Sequence, residues 1–88
     1  MIVLKTFQYV VKDEVGLHAR PAGLLVKFAN SLSSDVKIEF NSKSVSAKKL
    51  FAVMSLGVKH NNEITFVLDG ANEEDDCAKL KEFCEKNV

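Results

Sequence analysis

Two periodicities alternate along this chain, and their order leaves few folds open. Phe7, Tyr9 and Val11 alternate with Gln8, Val10 and Lys12; Val36, Ile38 and Phe40 with Lys37 and Glu39; Ile64, Phe66 and Leu68 with Thr65 and Val67. A period of two puts every second side chain on one face, the mark of a strand with one buried side. Ala22, Leu25, Val26, Ala29 and Leu32 instead recur at helical spacing and predict a helix from about Ala19 to about Leu32. Gly23 inside it costs about 1 kcal/mol relative to alanine, which close approach of another backbone would explain. After a turn at Asn41-Ser42, Lys43 to Ser46 returns as a short third strand, forming a hairpin with the second.

Ala47 to Leu56 reads as a short helix closed by Gly57, a residue suited to the left-handed C-cap. A last helix from about Asn72 to Lys86 begins with Glu73, Glu74, Asp75 and Asp76, which complement the positive end of its dipole, and buries Cys77, Leu80, Phe83 and Cys84. The first strand is expected to start near Val3 or Lys5. The order is βαββαβα, which predicts an α+β sandwich: an antiparallel sheet with helices on one face.

Composition narrows the function classes. At 88 residues the chain is expected to form one domain, 1–88, with one modest core. Twelve basic residues balance twelve acidic ones, so a basic nucleic-acid binder is not indicated. No apolar run reaches the roughly 18 residues of a membrane span, and the N-terminus lacks a secretory pattern; membrane insertion is not expected, and the location is expected to be cytoplasmic. Cys77 and Cys84 are two turns apart, roughly 10 Å along a helix axis. That is too far for a disulfide, and they read as core thiols. His18 and His60 show no ligand spacing, so no metal site and no cofactor are expected.

The chemistry concentrates in Gly16-Leu17-His18-Ala19-Arg20-Pro21-Ala22. His18 falls at the N-cap of the first helix. Pro21, the only proline, fits a first helical turn, where the N–H it lacks would have had no intrahelical partner. The free amides of that turn and the positive end of the dipole favour an anion. Arg20 adds a planar, permanently charged guanidinium suited to phosphate, and a neutral imidazole is a competent nucleophile near neutral pH. Ala19, Arg20 and Pro21 are therefore the candidate phosphate cradle and His18 the candidate phosphoryl acceptor. Taken alone, the same residues suit an ordinary N-cap and surface charge equally well.

The run from Gly16 to Ala22 resembles the active-site signature of HPr, the histidine-containing phosphocarrier family of the phosphoenolpyruvate-dependent sugar phosphotransferase system. A second block, KSVSAKKLFAVMSLGV from Lys43 to Val58, matches in the same order, and the likeness continues through Glu63-Ile64-Thr65 to the acidic start of the last helix. The resemblance implies an open-faced sandwich with strand order 1-4-2-3. It also implies a carrier, not a stand-alone enzyme, that takes a phosphoryl group on His18 Nδ1 from enzyme I and yields it to a histidine of a sugar-specific IIA component, with Arg20 managing the charge. Leu50, Phe51 and Met54 match the family's apolar docking patch, and Lys27 and Lys48 match positions that are basic in relatives. A monomer is expected.

One position departs from the family. Where many HPr proteins carry a serine phosphorylated by a dedicated kinase, this chain has Lys49, which belongs to the expected partner-facing set but cannot accept that phosphate. The departure leaves a second reading open: a regulatory HPr-like paralogue whose His18 phosphorylation controls a target instead of sugar uptake.

Overall fold

The computed structural model describes residues 5–70 and 72–88. Its elements are β1 (Lys5–Val10), α1 (Ala19–Ser31), β2 (Asp35–Phe40), β3 (Lys43–Ser46), α2 (Leu50–Ser55), β4 (Glu63–Asp69) and α3 (Glu73–Asn87). The four strands form one antiparallel sheet in the order β1-β4-β2-β3. The expected α+β open-faced sandwich and its strand order are both present. Val3 lies outside the described residues, and β1 is described over Lys5–Val10.

The period-two pattern fixes which face is covered. Phe66 sits opposite Phe7 on one side and Ile38 on the other, and Ile38 opposite Val45, so one apolar row crosses all four strands. Phe7 and Phe66 stack with ring centroids 5.0 Å apart. Ile64, Phe66 and Leu68 are fully buried, as are Leu25 and Ala29 of α1, Val53 of α2, and Leu80 and Cys84 of α3. These form a single core. The intervening residues Thr6, Gln8, Lys37 and Glu39 are exposed on the open face. A slip of one residue in any strand would exchange the two sets, and the apolar row therefore holds the register.

Three sequence expectations are corrected in detail. The second helix begins at Leu50, not Ala47: the Ala47 amide bonds the Val36 carbonyl at 2.8 Å, Lys48 N bonds Ser46 Oγ at 3.2 Å, and Lys49 is extended at φ −120, ψ 113. The strand-edge contacts use the backbone that a longer helix would need. The first helix ends at Ser31, with Leu32 extended. No close backbone accounts for Gly23: among the described residues, a methyl group on its Cα would meet nothing within 4 Å beyond its own helix. Asn41 and Ser42 both take positive φ, 54 and 66, the backbone of the tight hairpin turn expected there.

Cys77 and Cys84 are free and buried. Burial, with the Glu85 charge adding to it, pushes the Cys84 thiol up to about 12. A thiol so held stays protonated and unreactive. The Cys84 carbonyl accepts the Tyr9 hydroxyl at 2.7 Å, tying α3 to β1.

The loop after α1 is fastened by a buried carboxylate. Asp76, in the first turn of α3, accepts the Ser34 hydroxyl at 2.6 Å, the Ser34 amide at 3.0 Å and the Ser33 hydroxyl at 3.3 Å through one oxygen. Burial pushes this carboxyl up, but the Ser34 and Ser33 bonds outweigh it and hold the value below the usual carboxylate range. Because the folded value is depressed, the bonds stabilise fully above the ordinary value of about 3.9 and the contribution disappears as pH falls through the folded value. Asp76→Ala should cost about 2–3 kcal/mol at pH 7 by urea denaturation, since it leaves two buried donors without an acceptor. The variant's stability should also fall less steeply than that of the parent below about pH 4; parallel curves would show that Asp76 is not the responsible group.

Candidate functional site

The site is built where the chain leaves β1 and enters α1. Val11 returns two backbone bonds to the loop before β4: its amide donates to Asn62 O at 3.0 Å and its carbonyl accepts Asn61 N at 2.9 Å. The amides of Lys12 and Asp13 then both donate to the Val88 carbonyl, at 3.0 and 2.9 Å. The end of α3 thus braces the loop that leads to His18.

The loop closes in a tight turn. Asp13 Oδ1 accepts the Val15 amide at 3.0 Å, the Asp13 carbonyl accepts Gly16 N at 3.0 Å, and Gly16 O accepts His18 N at 2.9 Å. Gly16 has φ +80, and a methyl group there would stand 2.3 Å from Val58 O and 2.6 Å from Lys59 Cα. Leu17, buried in the core, donates its amide to the same Val58 carbonyl at 3.0 Å. Only glycine allows the two segments to touch here.

His18 is the N-cap of α1, extended at φ −87, ψ −172, and its side chain makes no capping bond. The ring is therefore free for other work. The first intrahelical bond runs from Ala22 N to His18 O at 2.9 Å. Ala19 and Arg20, ahead of it, have amides with no intrahelical partner, and Pro21 has none to offer. Pro21 and Ala22 are buried and anchor this turn, whereas Arg20 is exposed. The His18 side chain is 38% exposed, and its Nε2 lies 3.4 Å from Asp13 Oδ1. The half-exposed imidazole thus stands at a helix start with two free amides and a positive dipole end, and Arg20 is exposed two residues on, chemistry that suits a small anion. Among the described residues no group of three His, Cys, Asp or Glu could hold a metal ion.

The expected site residues do not all come together. His18, Ala19, Arg20 and Pro21 share the N-terminus of α1. Lys48 lies at the other end: its ammonium donates to Leu32 O at 3.4 Å, and Asn30 Nδ2 donates to the Lys48 carbonyl at 3.2 Å. A helix of this length spans about 20 Å, so Lys48 is outside the cradle. Lys27 and Lys49 are exposed, and Lys49 is the N-cap of α2 with no side-chain cap bond. The C-terminal end of α2 returns to the site through Val58. Phe51 is 83% exposed, whereas Leu50 and Met54 are half-buried and pack against the core. Leu24 is exposed on α1, while Phe28 stacks on Phe83 at 4.4 Å and so extends the core.

Sequence reasoning did not single out Asp13 or the braces at Val58 and Val88. An aspartate two residues before an amide it can accept is a known turn former, and that local signal was available for Asp13. The braces join residues far apart in sequence and left no local trace.

A sequence profile of the family described as "PTS HPr component phosphorylation site" matches residues 5–86. The chain belongs to the HPr family. It is 44% identical over 85 residues to the phosphocarrier protein HPr of Mycoplasma genitalium, covering 96% of this chain and 97% of that one. The crystal structure of HPr-C-His from Thermoanaerobacter tengcongensis superposes with a TM-score of 0.88 at 36% identity, covering 94% of this chain and 93% of the other. The Bacillus subtilis catabolite repression protein Crh, crystallised as a domain-swapped dimer, superposes with a TM-score of 0.74 at 38% identity, over 91% and 92% of the two chains. As in those HPr structures, the sheet is open on one face and antiparallel.

The close fit at Gly16 carries a consequence for the HPr site. Gly16→Ala should lower stability by about 2 kcal/mol or more, roughly 10 °C in Tm. It should also shift the ring resonances of His18, because the Leu17 amide can no longer reach Val58. Calorimetry and NMR check both; an unchanged Tm would show that the turn has room to spare.

Proposed function

We propose that this HPr-family chain carries a phosphoryl group on His18, taking it from phospho-enzyme I and passing it to a histidine of a sugar-specific IIA component. The observation that supports this most is the uncapped, half-exposed His18 ring at a helix start whose free amides and neighbouring Arg20 suit an anion. Nδ1 is the attacking nitrogen. Phosphoryl transfer needs mainly alignment and charge stabilisation, and the partners supply the rest of the alignment when they dock.

Exposure of the ring serves reversibility. A buried, fully satisfied phosphate would be trapped, and a carrier works only if the group leaves as readily as it arrives. Leu50, Phe51 and Met54 on α2 form the apolar docking face, reached by partners through a side chain as prominent as Phe51. Met54 adapts to more than one partner. Arg20, Lys27, Lys48 and Lys49 favour acidic partner faces by steering encounter. The chain acts in the cytoplasm as a monomer, and no helix among the described residues is long and apolar enough to cross a membrane.

A second reading is favoured by the likeness to Crh and by Lys49: an HPr-like paralogue that signals through the phosphorylation state of His18. Restoration of sugar uptake in a strain lacking its own carrier would favour transport; failure with a fully labelled protein would favour signalling. Control by a serine kinase is absent or altered. Lys49 cannot accept phosphate, and the nearby Ser46 is half-buried at the end of β3 with its hydroxyl accepting the Lys48 amide.

Phosphoenolpyruvate and enzyme I should give an acid-labile adduct on the parent protein and none on His18→Ala. Equal labelling of the variant would remove His18 from the mechanism. Incubation with HPr serine kinase and ATP should yield no phosphoserine; stoichiometric label at any serine would overturn the account of Lys49.

A further inference from the structure

Asp13 is the acidic group that the structure brings to His18, and carriage of a phosphoryl group does not by itself explain it. Its carboxylate Oδ1 stands 3.4 Å from His18 Nε2, with the two side chains 32% and 38% exposed. The carboxylate is not placed by the histidine. Its own amide is held by Val88 O at 2.9 Å, its carbonyl accepts Gly16 N at 3.0 Å and faces His60 Nδ1 at 3.2 Å, and Oδ1 accepts the Val15 amide at 3.0 Å. A loop fixed at several points thus aims one negative charge at one ring nitrogen.

We propose that Asp13 is a positioning residue for phosphoryl transfer: its carboxylate holds the Nε2–H of His18, so that the lone pair lies on Nδ1. This rests on the reading of His18 as the carrier residue. Only one neutral tautomer satisfies the contact, the one with its proton on Nε2. The other nitrogen then faces away from Asp13 with its electron pair free.

In the forward step, the Nδ1 pair attacks the phosphorus of a donor phosphohistidine. The donor N–P bond breaks, and its electron pair returns to the donor nitrogen. His18 now holds the phosphoryl group on Nδ1 and still holds its proton on Nε2, so the ring has gained a positive charge beside the Asp13 anion. Transfer onward reverses each change, and no further reactant is needed. At 3.4 Å the two groups are at ion-pair distance and the hydrogen bond is not yet formed; docking of a partner closes it, as catalytic hydrogen bonds tighten in the working complex. Arg20 lines a cleft with Asp13, Pro21 and Leu24, and its fixed charge opposes the repulsion between Asp13 and the arriving phosphoryl group; Lys86 of the same cleft is already paired with Glu82 at 3.0 Å.

A purely structural role is the competing account, since the same oxygen also accepts the Val15 amide. Two substitutions separate them. Asp13→Asn keeps an oxygen for that amide and loses the charge; Asp13→Glu keeps the charge and disturbs the short turn. Positioning by charge predicts that Asp13→Asn slows single-turnover phosphoryl transfer about two- to five-fold in both directions, the effect of a half-exposed ion pair, and that Asp13→Glu is the faster of the two. A parental rate in Asp13→Asn, with Asp13→Glu slow, would overturn it in favour of the turn.

Nitrogen NMR of the imidazole gives a second readout that needs no partner. In the free neutral protein the proton should reside on Nε2 of His18, and in Asp13→Asn the Nδ1–H tautomer should gain population. Equal tautomer ratios in the two proteins would overturn the proposal whatever the transfer rates. If the parent takes no label from phosphoenolpyruvate and enzyme I, the carrier reading fails, and the tautomer ratio still decides whether Asp13 holds the ring.

Discussion

The position of the His18 ring depends on one close backbone contact. Leu17 N reaches Val58 O at 3.0 Å, and the approach is possible because Gly16 has no side chain where Val58 and Lys59 pass. A bond between two main-chain groups in a buried setting is hard to replace, because breaking it strands a donor and an acceptor away from water. Leu17 is buried directly ahead of His18 and cannot move without opening the core. The next residue therefore emerges at a fixed point on the surface. A catalytic loop is ordinarily the mobile part of a fold; here its two ends are tied to α3 through Val88 and to the segment after α2 through Val58.

Sheet order explains why those ties are available. Placing β4 between β1 and β2 brings the turn before β4 under the end of β1, so Asn61 and Asn62 can bond Val11 on both sides. The connection from α2 to β4 must then cross close to the start of α1. Residues near 58 and residues near 17, distant in sequence, meet because of that crossing.

Legibility in the sequence followed the range of the interaction. Strands and helices were readable because Phe66, Ile38 and Leu25 belong to local periods set by one buried face. His18, Arg20 and Pro21 were readable as a group because helix-start chemistry acts over a few residues. The strand order came from likeness to a family and not from periodicity, since alternation states which face is buried and not which strand lies alongside. The start of α2 was misplaced because Ala47 has good helix propensity, whereas its amide is taken by Val36 across the hairpin. The Val58 and Val88 braces are main-chain bonds that any side chain could carry, and no composition could have pointed to them. Asp13 lies between: its turn with Val15 is a local pattern, but its approach to His18 follows from the path the loop takes.

The same ring must be a good nucleophile when empty and a good leaving group when loaded, and a single strong interaction cannot serve both. On the proposed carrier role, free amides and a guanidinium would draw the phosphoryl group in, and solvent exposure would keep that pull weak. In the proposed arrangement a carboxylate on the far nitrogen would act on the ring instead of on the phosphate, and so would change the tautomer without tightening the cradle. Separating the two influences across an imidazole lets one side tune attack while the other tunes release. Lys48, held at the far end of α1 by Leu32 O, lies roughly a helix length from the ring, and any steering of an acidic face by it would act without holding the phosphate.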